Sequence, residues 1–289
     1  MNLPNRFSSP VAETPSDKQL LINMSQKSDV SRSFGAAAGH YEEFAHLQRY
    51  MGTQLLRKTQ AVLPMHTRFE TCVDLGCGTG FFSPEVAELF GAESVIGLDI
   101  SEGMLQQAVS HKVDLKSVYF TAGDAEALPF ANNSLNAVFS NLAVQWCKSV
   151  SVLFAELMRS VDSGGVVALS TLLEGSLAEL KQSWATVDDE QHVNSFLELA
   201  DYRNAAASIG FELLDIEQET ITLEYDQTLD LMRDLKGVGA HNISTDRPKH
   251  LTGKNKIKKV VDAYENYRLN SGRLPATYQA AYLVVRKCS

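Results

Sequence analysis

Three closely spaced glycines after a short apolar segment constrain the fold of this chain more than any other feature. Residues 74–80 read DLGCGTG and lie between the apolar residues 71–73 and the helix-like residues 81–90. Glycine has no Cβ atom, so it can adopt a positive φ and allow a ligand to approach the backbone closely. A strand, a glycine turn and a helix start in this order predict a ligand-binding corner.

The spacing of these glycines, G-x-G-x-G, differs from the dinucleotide-binding fingerprint G-x-G-x-x-G. Phe81 stands where the fingerprint has its last glycine. In that fingerprint the last glycine permits close helix packing, and the helix N-terminus receives a pyrophosphate. The phenylalanine therefore weakens the interpretation of the turn as a pyrophosphate site.

Two further acidic residues follow strand-like segments downstream of the glycines. Asp99 ends the apolar segment 94–99, and Asp124 follows the strand-like residues 118–121. In nucleotide-binding folds an acid about 20 residues after the glycines accepts hydrogen bonds from ribose hydroxyls. Asp99 suits that role, and the Asp124 carboxylate could accept a hydrogen bond from an adenine amino group.

Strand-like and helix-like segments alternate from residue 71 onwards. Such alternation predicts an α/β fold with a mostly parallel sheet, helices on both faces and ligands at the carboxyl ends of the strands. The strands are predicted at 71–75, 94–99, 117–121, 135–140, 165–171, 212–223 and 278–286. The helices are predicted at 81–90, 102–110, 150–161, 176–187, 227–238 and 254–269.

Composition excludes several classes of protein. The 289 residues suffice for one large domain, and 44% hydrophobic with 21% charged residues is typical of a soluble protein. No apolar run approaches the ~20 residues that span a bilayer. A net charge of −9 argues against nucleic acid as the main partner. Four cysteines without a C-x-x-C pair, and no secretory signal at the start, predict a cytoplasmic protein without a metal.

The glycine turn and the two acids together resemble the class I S-adenosylmethionine-dependent methyltransferases, over residues 71–172. The resemblance implies that the glycine turn lies beside the methionine part of the cofactor. It also implies that Asp99 holds the ribose and that Asp124 recognises adenine. The cofactor-binding residues it implies are Tyr41, Asp74, Gly76, Cys77, Gly78, Gly80, Asp99, Ile100, Met104, Asp124, Ala125, Asn141 and Leu142.

The same resemblance implies a seven-stranded, Rossmann-like sheet whose last strand is antiparallel. One methyltransferase domain is then expected over residues 29–289, after a flexible extension formed by residues 1–28. Residues 29–62 and 227–270 do not belong to the minimal fold, and we expect them to form a helical cover over the active site.

Four segments narrow the resemblance further. Residues 123–129 (GDAEALP), 140–147 (SNLAVQWC), 234–242 (DLKGVGAHN) and 272–278 (GRLPATY) resemble the malonyl-acyl-carrier-protein O-methyltransferases of biotin synthesis. That family transfers a methyl group from S-adenosylmethionine to the free carboxylate of a malonyl thioester. A malonyl carboxylate is already ionised near pH 7, so no general base is required.

The resemblance suggests substrate-positioning candidates, which are Tyr41, Gln145, Trp146, Arg233, Lys236, His241 and Arg273. A cation that held the reacting carboxylate tightly would lower its nucleophilicity. We therefore expect neutral donors near the reacting oxygen and the three cations further away. For Tyr41 and Trp146 the alternative is a packing role, and for His241 it is a loop position without ligand contact. For Arg233 and Lys236 the alternative is that of solvated cations on a helix.

A basic segment lies in the C-terminal part of an otherwise acidic chain. Its cations are Arg247, Lys249, Lys254, Lys256, Lys258 and Lys259, and no acid separates them. Because carrier proteins are acidic, this segment predicts a docking surface for acyl carrier protein. The alternatives are a solvated helix face or, less favoured because aromatic residues are absent, a nucleic-acid contact.

Two other functions are compatible with the same predicted cofactor-binding residues. One is a small-molecule methyltransferase of the quinone or metabolite type, which would not need the basic segment. The other is a protein that binds S-adenosylmethionine without catalysis. A protein or DNA amino-methyltransferase is disfavoured because residues 141–144 read NLAV and not Asn/Asp-Pro-Pro-aromatic.

Overall fold

A seven-stranded sheet forms the centre of the computed structural model, which describes residues 27–64, 68–110, 118–240 and 253–288. Its strand order is β3-β2-β1-β4-β5-β7-β6, and β7 runs antiparallel to both neighbours while the other pairs are parallel. The strands are β1 (Thr71–Leu75), β2 (Ser94–Asp99), β3 (Val118–Ala122), β4 (Leu135–Asn141), β5 (Val161–Leu172), β6 (Phe211–Tyr225) and β7 (Leu274–Lys287). The predicted mostly parallel sheet with an antiparallel last strand is confirmed.

The helices flank this sheet and cover its carboxyl edge. They are α1 (27–37), α2 (Tyr41–Phe44), α3 (His46–Val62), α4 (Ser83–Phe90), α5 (Glu102–Ser110), α6 (Val150–Ser160), α7 (Ala178–Ala185), α8 (Leu199–Ser208), α9 (Thr228–Gly237) and α10 (Lys254–Tyr264). Of the predicted extension 1–28, only Lys27 and Ser28 are described, and both belong to α1. None of the described helices has the length and apolar character needed to cross a bilayer.

Helix α8 is absent from the sequence-based prediction. Its buried side consists of Tyr202, Ala205 and Ala206, so the apolar periodicity is weak. The helix begins at a capping box in which Glu198 and Asp201 each accept from the other's backbone N–H. A glutamate is an uncommon residue at that first position, which is why the start signal is difficult to recognise.

The sheet has a hydrophobic layer on each face. One layer joins α3, α4, α7 and α10 to the sheet, and the other joins α6 and α8. Successive residues of β1 alternate between them, since Cys72 belongs to the first layer and Val73 to the second. This double burial explains the nearly continuous apolar sequence of the parallel strands.

Strands β6 and β7 are longer than predicted at the edge that carries the site. They pair from Phe211 with Lys287 as far as Tyr225 with Leu274. Pro275 favours a turn in sequence, yet proline is tolerated near the first residue of a strand. The extension of β6 carries Tyr225 to the carboxyl edge of the sheet, where it lines a cavity together with Tyr278.

Candidate active site

The glycine turn is packed tightly against the loop that follows β4. Gly76, Gly78 and Gly80 adopt φ values of 72°, 55° and 76°. The backbone N–H of Gly76 donates to the Leu98 carbonyl at 2.7 Å, which joins the turn to β2. A Cβ atom at Gly76 would lie 2.2 Å from the Cβ of Ala143. Only glycine fits this position, because both the φ and the spacing exclude a side chain.

Asp99 holds the glycine turn to the end of β2. Its Oδ2 accepts from the Gly78 backbone N–H at 2.9 Å, and its Oδ1 accepts from Ser101 N–H at 2.7 Å. Burial raises the pKa of this carboxyl, while the backbone hydrogen bonds act to lower it. Each carboxylate oxygen has a second lone pair, so Asp99 can still accept hydrogen bonds from ligand hydroxyls.

A cavity of about 100 Å³ lies at the carboxyl ends of the first four strands. Most of the predicted cofactor-binding residues line it, namely Tyr41, Gly76, Gly78, Asp99, Ile100, Met104, Asp124, Ala125, Asn141 and Leu142. We call it the cofactor cavity. The bare backbone at Gly76 and Gly78 and the remaining lone pairs of Asp99 suit a nucleoside.

Three predicted cofactor residues lie outside this lining. Asp74 and Cys77 border a smaller neighbouring space of about 40 Å³. Gly80 lines neither space, and a Cβ there would lie 2.8 Å from the ring of Phe120. The missing side chain therefore allows close packing of the turn against β3, and a contact of Gly80 with the cofactor stays a prediction.

Helix α1 contributes a wall of the cofactor cavity that sequence reasoning missed. Lys27 forms ion pairs with Asp124 at 2.5 Å and with Glu126 at 2.7 Å. Burial acts to lower the pKa of Lys27, but its hydrogen bonds to the two acids raise it overall. Val30 and Phe34 of the same helix also line the cavity. No local signal connects these residues with Asp124, because nearly 100 residues separate them.

A second cavity of about 430 Å³ adjoins the cofactor cavity. Four side chains line both cavities, namely Phe34, Tyr41, Leu142 and Trp146. The rings of Phe34 and Trp146 meet edge to face, with centroids 5.3 Å apart. Burial raises the pKa of the Tyr41 hydroxyl, and the charges of Glu42 and Asp99 raise it further. Tyr41 thus remains a neutral hydrogen-bond donor at the boundary between the cavities.

Gln145 also lines the second cavity. Its Nε2 donates to the Leu142 carbonyl at 2.7 Å, which fixes the side chain beside the boundary. Its Oε1 is buried and has no hydrogen-bond partner in the described part of the chain. A buried amide oxygen of this kind can accept from a ligand.

The predicted cations are not among the described residues that line the second cavity. Arg233 is exposed and pairs with Asp230 at 2.8 Å, and Lys236 is exposed on the same helix. Arg273 donates to the Glu224 carbonyl at 2.7 Å. Helix α9 directs Met232 and Leu235 to the cavity, so its cations face away. His241 lies outside the described residues.

Asp74 is buried beneath the glycine turn. Ser83 Oγ donates to its Oδ2 at 2.7 Å. Burial raises the pKa of this carboxyl to about 7, although the Ser83 hydrogen bond acts to lower it. Asp74 therefore changes its protonation state near neutral pH, a property that the sequence does not reveal.

Comparison with known proteins assigns the family. Residues 73–169 match a family profile described as a methyltransferase domain. The chain is 37% identical over 258 residues to the malonyl-[acyl-carrier protein] O-methyltransferase of Hahella chejuensis. The aligned region covers 89% of this chain and 90% of that protein. It is 40% identical over 269 residues to the biotin biosynthesis bifunctional protein BioHC of Cellvibrio japonicus, covering 93% of this chain and 52% of that protein. The chain thus spans about half of the bifunctional protein.

A solved structure shares the fold. The YcgJ protein of Bacillus subtilis superimposes with a TM-score of 0.59 at 17% identity, covering 82% of this chain and 99% of that one. At this identity the likeness concerns the fold alone. The 37% identity to the Hahella protein extends along nearly the whole of both sequences, and the chain therefore belongs to the malonyl-[acyl-carrier protein] O-methyltransferase family.

Proposed function

We propose that this protein methylates the free carboxylate of a malonyl thioester on acyl carrier protein, with S-adenosylmethionine as the methyl donor. The observation that carries the proposal is the second cavity, which meets the cofactor cavity across Phe34, Tyr41, Leu142 and Trp146. The names of the relatives support the acceptor, and the name of the bifunctional relative supports a place in biotin synthesis.

The shared lining of the cofactor cavity supports the proposed roles in cofactor binding. Asp99 accepts from the ribose hydroxyls, Asp124 faces the adenine, and the glycine turn leaves room for the methionine part. The bound cofactor supplies an electrophilic methyl group on a sulfonium. No metal is needed for this transfer, and the cytoplasmic location stays a prediction from sequence.

The residues of the second cavity orient the acceptor and exclude water. Tyr41 and Gln145 offer neutral polar atoms near the boundary, and no lysine or arginine is among the described lining residues. The carboxylate keeps its nucleophilicity because no strong cation holds it. An aligned approach of two reacting groups contributes roughly 7–11 kcal/mol to such a reaction. A weakly polar cavity also favours a transition state in which sulfonium and carboxylate neutralise each other.

The test is turnover of defined acceptors by the purified full chain. With malonyl-carrier protein we expect release of S-adenosylhomocysteine and a gain of one methyl group on the carrier by mass spectrometry. Acetyl-carrier protein, which lacks the free carboxylate, should remain unmodified. Binding of S-adenosylmethionine without its consumption would overturn the proposal in favour of a non-catalytic protein. Preference for a small free acceptor would favour the metabolite methyltransferase.

The raised pKa of Asp74 predicts a pH dependence of cofactor binding. S-adenosylmethionine is a cation, so it favours the ionised form of the nearby carboxyl. Below pH 7 the carboxyl binds a proton in the free protein, and the cofactor must displace it. The affinity for S-adenosylmethionine should therefore rise about tenfold from pH 6 to pH 8, which is the free-energy equivalent of one pKa unit. Calorimetry in buffers of different ionisation enthalpy would also detect the released proton.

Asp74→Asn provides the control for this prediction, because an amide does not titrate. The variant should bind S-adenosylmethionine with little change between pH 6 and pH 8. A wild-type affinity that is equally flat would contradict the assignment of this titration to Asp74.

Helix α10 is the described part of the proposed carrier-docking surface. Lys254, Lys258 and Lys259 are exposed on it. Lys256 instead pairs with Asp188 at 2.7 Å and with Glu190 at 3.4 Å, so it does not belong to the free cations of that surface. Arg247 and Lys249 lie outside the described residues. The proposal therefore rests on three lysines of α10.

Reversal of the charge at these three lysines should selectively weaken the binding of the carrier-linked substrate. The Lys254→Glu, Lys258→Glu, Lys259→Glu variant should raise the KM for malonyl-carrier protein roughly tenfold at low salt, because attraction to an acidic partner is lost. Added salt should shrink the difference. Activity with free malonyl-pantetheine should stay unchanged.

A matched control reverses three exposed cations elsewhere, Arg57, Arg68 and Arg203, for the same change in net charge. This control should leave the KM for the carrier-linked substrate within twofold of wild type. Equal effects of the two triple variants would show that overall charge, and not helix α10, attracts the carrier.

A further inference from the structure

One wall of the second cavity carries an imidazole held by two neighbours. The ring of His192 stacks on the indole of Trp184, with centroids 3.6 Å apart and planes inclined by 10°. Its Nε2 lies 2.7 Å from Oδ1 of Asp188, whose Oδ2 accepts from Lys256 Nζ at 2.7 Å. Trp184 and His192 both line the second cavity. A chain of contacts therefore joins helix α10 to the cavity wall.

This cluster has the composition of a metal site but a different cation. Side-chain ligand atoms of Asp188, Glu190 and His192 lie within 4.8 Å of one another. The ammonium of Lys256 lies 2.7 Å from Asp188 and 3.4 Å from Glu190. A lysine thus supplies the positive charge that a metal ion would bring, and the cluster is better understood as a support for the imidazole.

The support determines which ring nitrogen is available to a ligand. An ionised carboxylate only accepts hydrogen bonds, so Nε2 of His192 must carry the hydrogen that faces Asp188. Although burial acts to raise it, hydrogen bonds from Lys256 and His192 lower the pKa of Asp188 to about 2. Nδ1 of His192 has no hydrogen-bond partner among the described residues. A ligand in the cavity would therefore meet Nδ1.

The charges of the cavity single out His192. Its described lining includes the carboxyls of Glu224 and Asp234 but no lysine or arginine, so two histidines are the lining side chains in that part of the chain that can carry a positive charge. His46 is exposed and has no partner that would fix its ring. His192 has a side chain only 7% exposed and is oriented by both stacking and a hydrogen bond.

The position of His192 indicates which substrate atom it meets. The reacting carboxylate must reach the boundary formed by Phe34, Tyr41, Leu142 and Trp146. His192 does not belong to that boundary and lines only the second cavity. The thioester carbonyl is separated from the carboxylate by one methylene carbon. It can therefore lie in the second cavity while the carboxylate is at the boundary.

We propose that His192 is a substrate-binding residue that, protonated at both ring nitrogens, donates Nε2–H to Asp188 and Nδ1–H to the thioester carbonyl oxygen of the malonyl group, with Asp188 and Lys256 as positioning residues. The inference rests on the proposed function and adds a second point of attachment to the acceptor. Two attachment points restrict rotation of the malonyl group and so favour the aligned approach of its carboxylate.

Substitutions at His192 test the donor directly, with free malonyl-pantetheine as the acceptor so that carrier docking plays no part. His192→Leu should lower kcat/KM roughly 10- to 100-fold, the effect of losing one hydrogen bond from a charged donor. His192→Asn places an amide near the position of Nδ1, and His192→Gln places it near Nε2. We expect the asparagine variant to recover more activity than the glutamine variant. Affinity for S-adenosylhomocysteine should stay within twofold in all three.

The positioning residues are tested by a double-mutant cycle. Lys256→Met should lower kcat/KM roughly threefold to tenfold in the wild-type background and have no effect beside His192→Leu, because residues of one network are not additive. Asp188→Asn, which preserves volume, should behave like Lys256→Met. The matched control is Lys181→Met, an exposed lysine of helix α7, which should leave kcat/KM unchanged.

The outcomes separate this inference from the proposed function. If the wild type binds cofactor but does not methylate malonyl thioesters, the proposed function fails and the role of His192 fails with it. If the wild type is active and folded His192→Leu keeps kcat/KM within twofold, only the role of His192 is overturned. Greater recovery by glutamine than by asparagine would overturn the Nδ1 contact. An additive cycle would overturn the link through Lys256.

Discussion

Replacement of Gly76 by alanine should weaken S-adenosylhomocysteine binding roughly 100-fold or more, measured by calorimetry on folded protein. The φ of 72° is unfavourable for any residue with a side chain and costs about 1–2 kcal/mol. The new Cβ would also lie 2.2 Å from the Cβ of Ala143, so one of the two segments must move. Overpacking of this kind costs about 1–3 kcal/mol. Because Gly76 and Ala143 both line the cofactor cavity, either movement deforms the binding site.

Two further variants separate the contact from the backbone strain. Gly164 has a positive φ of 79°, similar to that of Gly76, but a Cβ atom at this position would meet nothing within 4 Å. Gly164→Ala therefore tests the backbone strain alone. It should lose only about 1 kcal/mol of stability and bind cofactor normally. Ala143→Gly added to Gly76→Ala should restore part of the affinity because it removes the contact atom. Binding by Gly76→Ala within threefold of wild type would contradict the account.

Asp99→Ala should lower the affinity for S-adenosylhomocysteine roughly 10- to 150-fold. Hydrogen bonds to a charged acceptor contribute about 1.5–3 kcal/mol, and each 1.4 kcal/mol is about tenfold in affinity. The same carboxylate also accepts from the backbone N–H groups of Gly78 and Ser101. The substitution therefore removes a ligand contact and loosens the glycine turn together.

A deoxy ligand distinguishes these two effects. If Asp99 accepts from the ribose, the wild type should bind S-adenosylhomocysteine more tightly than its 2′-deoxy analogue, whereas Asp99→Ala should bind both equally. The control is Asp162→Ala, whose carboxylate likewise accepts a backbone N–H, from Ser163 at 2.8 Å, but lies at the start of β5. It should bind both ligands as the wild type does. An undiminished preference for the hydroxylated ligand in Asp99→Ala would refute the ribose contact.

Most of the sheet was predictable because its signals are local. The central parallel strands β1, β4 and β5 are largely buried on both faces, and Gly76 to Gly80 mark the turn after the first of them. The bounds of β2 and α5 agree with the prediction to the residue. Helix α8 was not predicted because the alanines on its buried side differ little in hydrophobicity from the residues on its exposed side.

The second cavity was less predictable because its walls come from distant segments. A basic residue near a motif suggests a ligand contact, yet Arg233 and Arg273 pair with neighbouring acids and a carbonyl. Whether a helix side faces the cavity depends on how it packs, and α9 packs with its apolar residues inward. The pattern of cations alone could not decide that orientation.

The amino-acid sequence by itself determined the α/β sheet, the glycine turn and the acids Asp99 and Asp124, because these depend on periodicity and on residues close in the chain. Only the tertiary structure decided that Lys27 covers Asp124 and that Lys256 supports Asp188 beside His192. Those partners are 97 and 68 residues apart. Contacts across such distances depend on the packing of whole helices, which leaves no repeating pattern in the sequence.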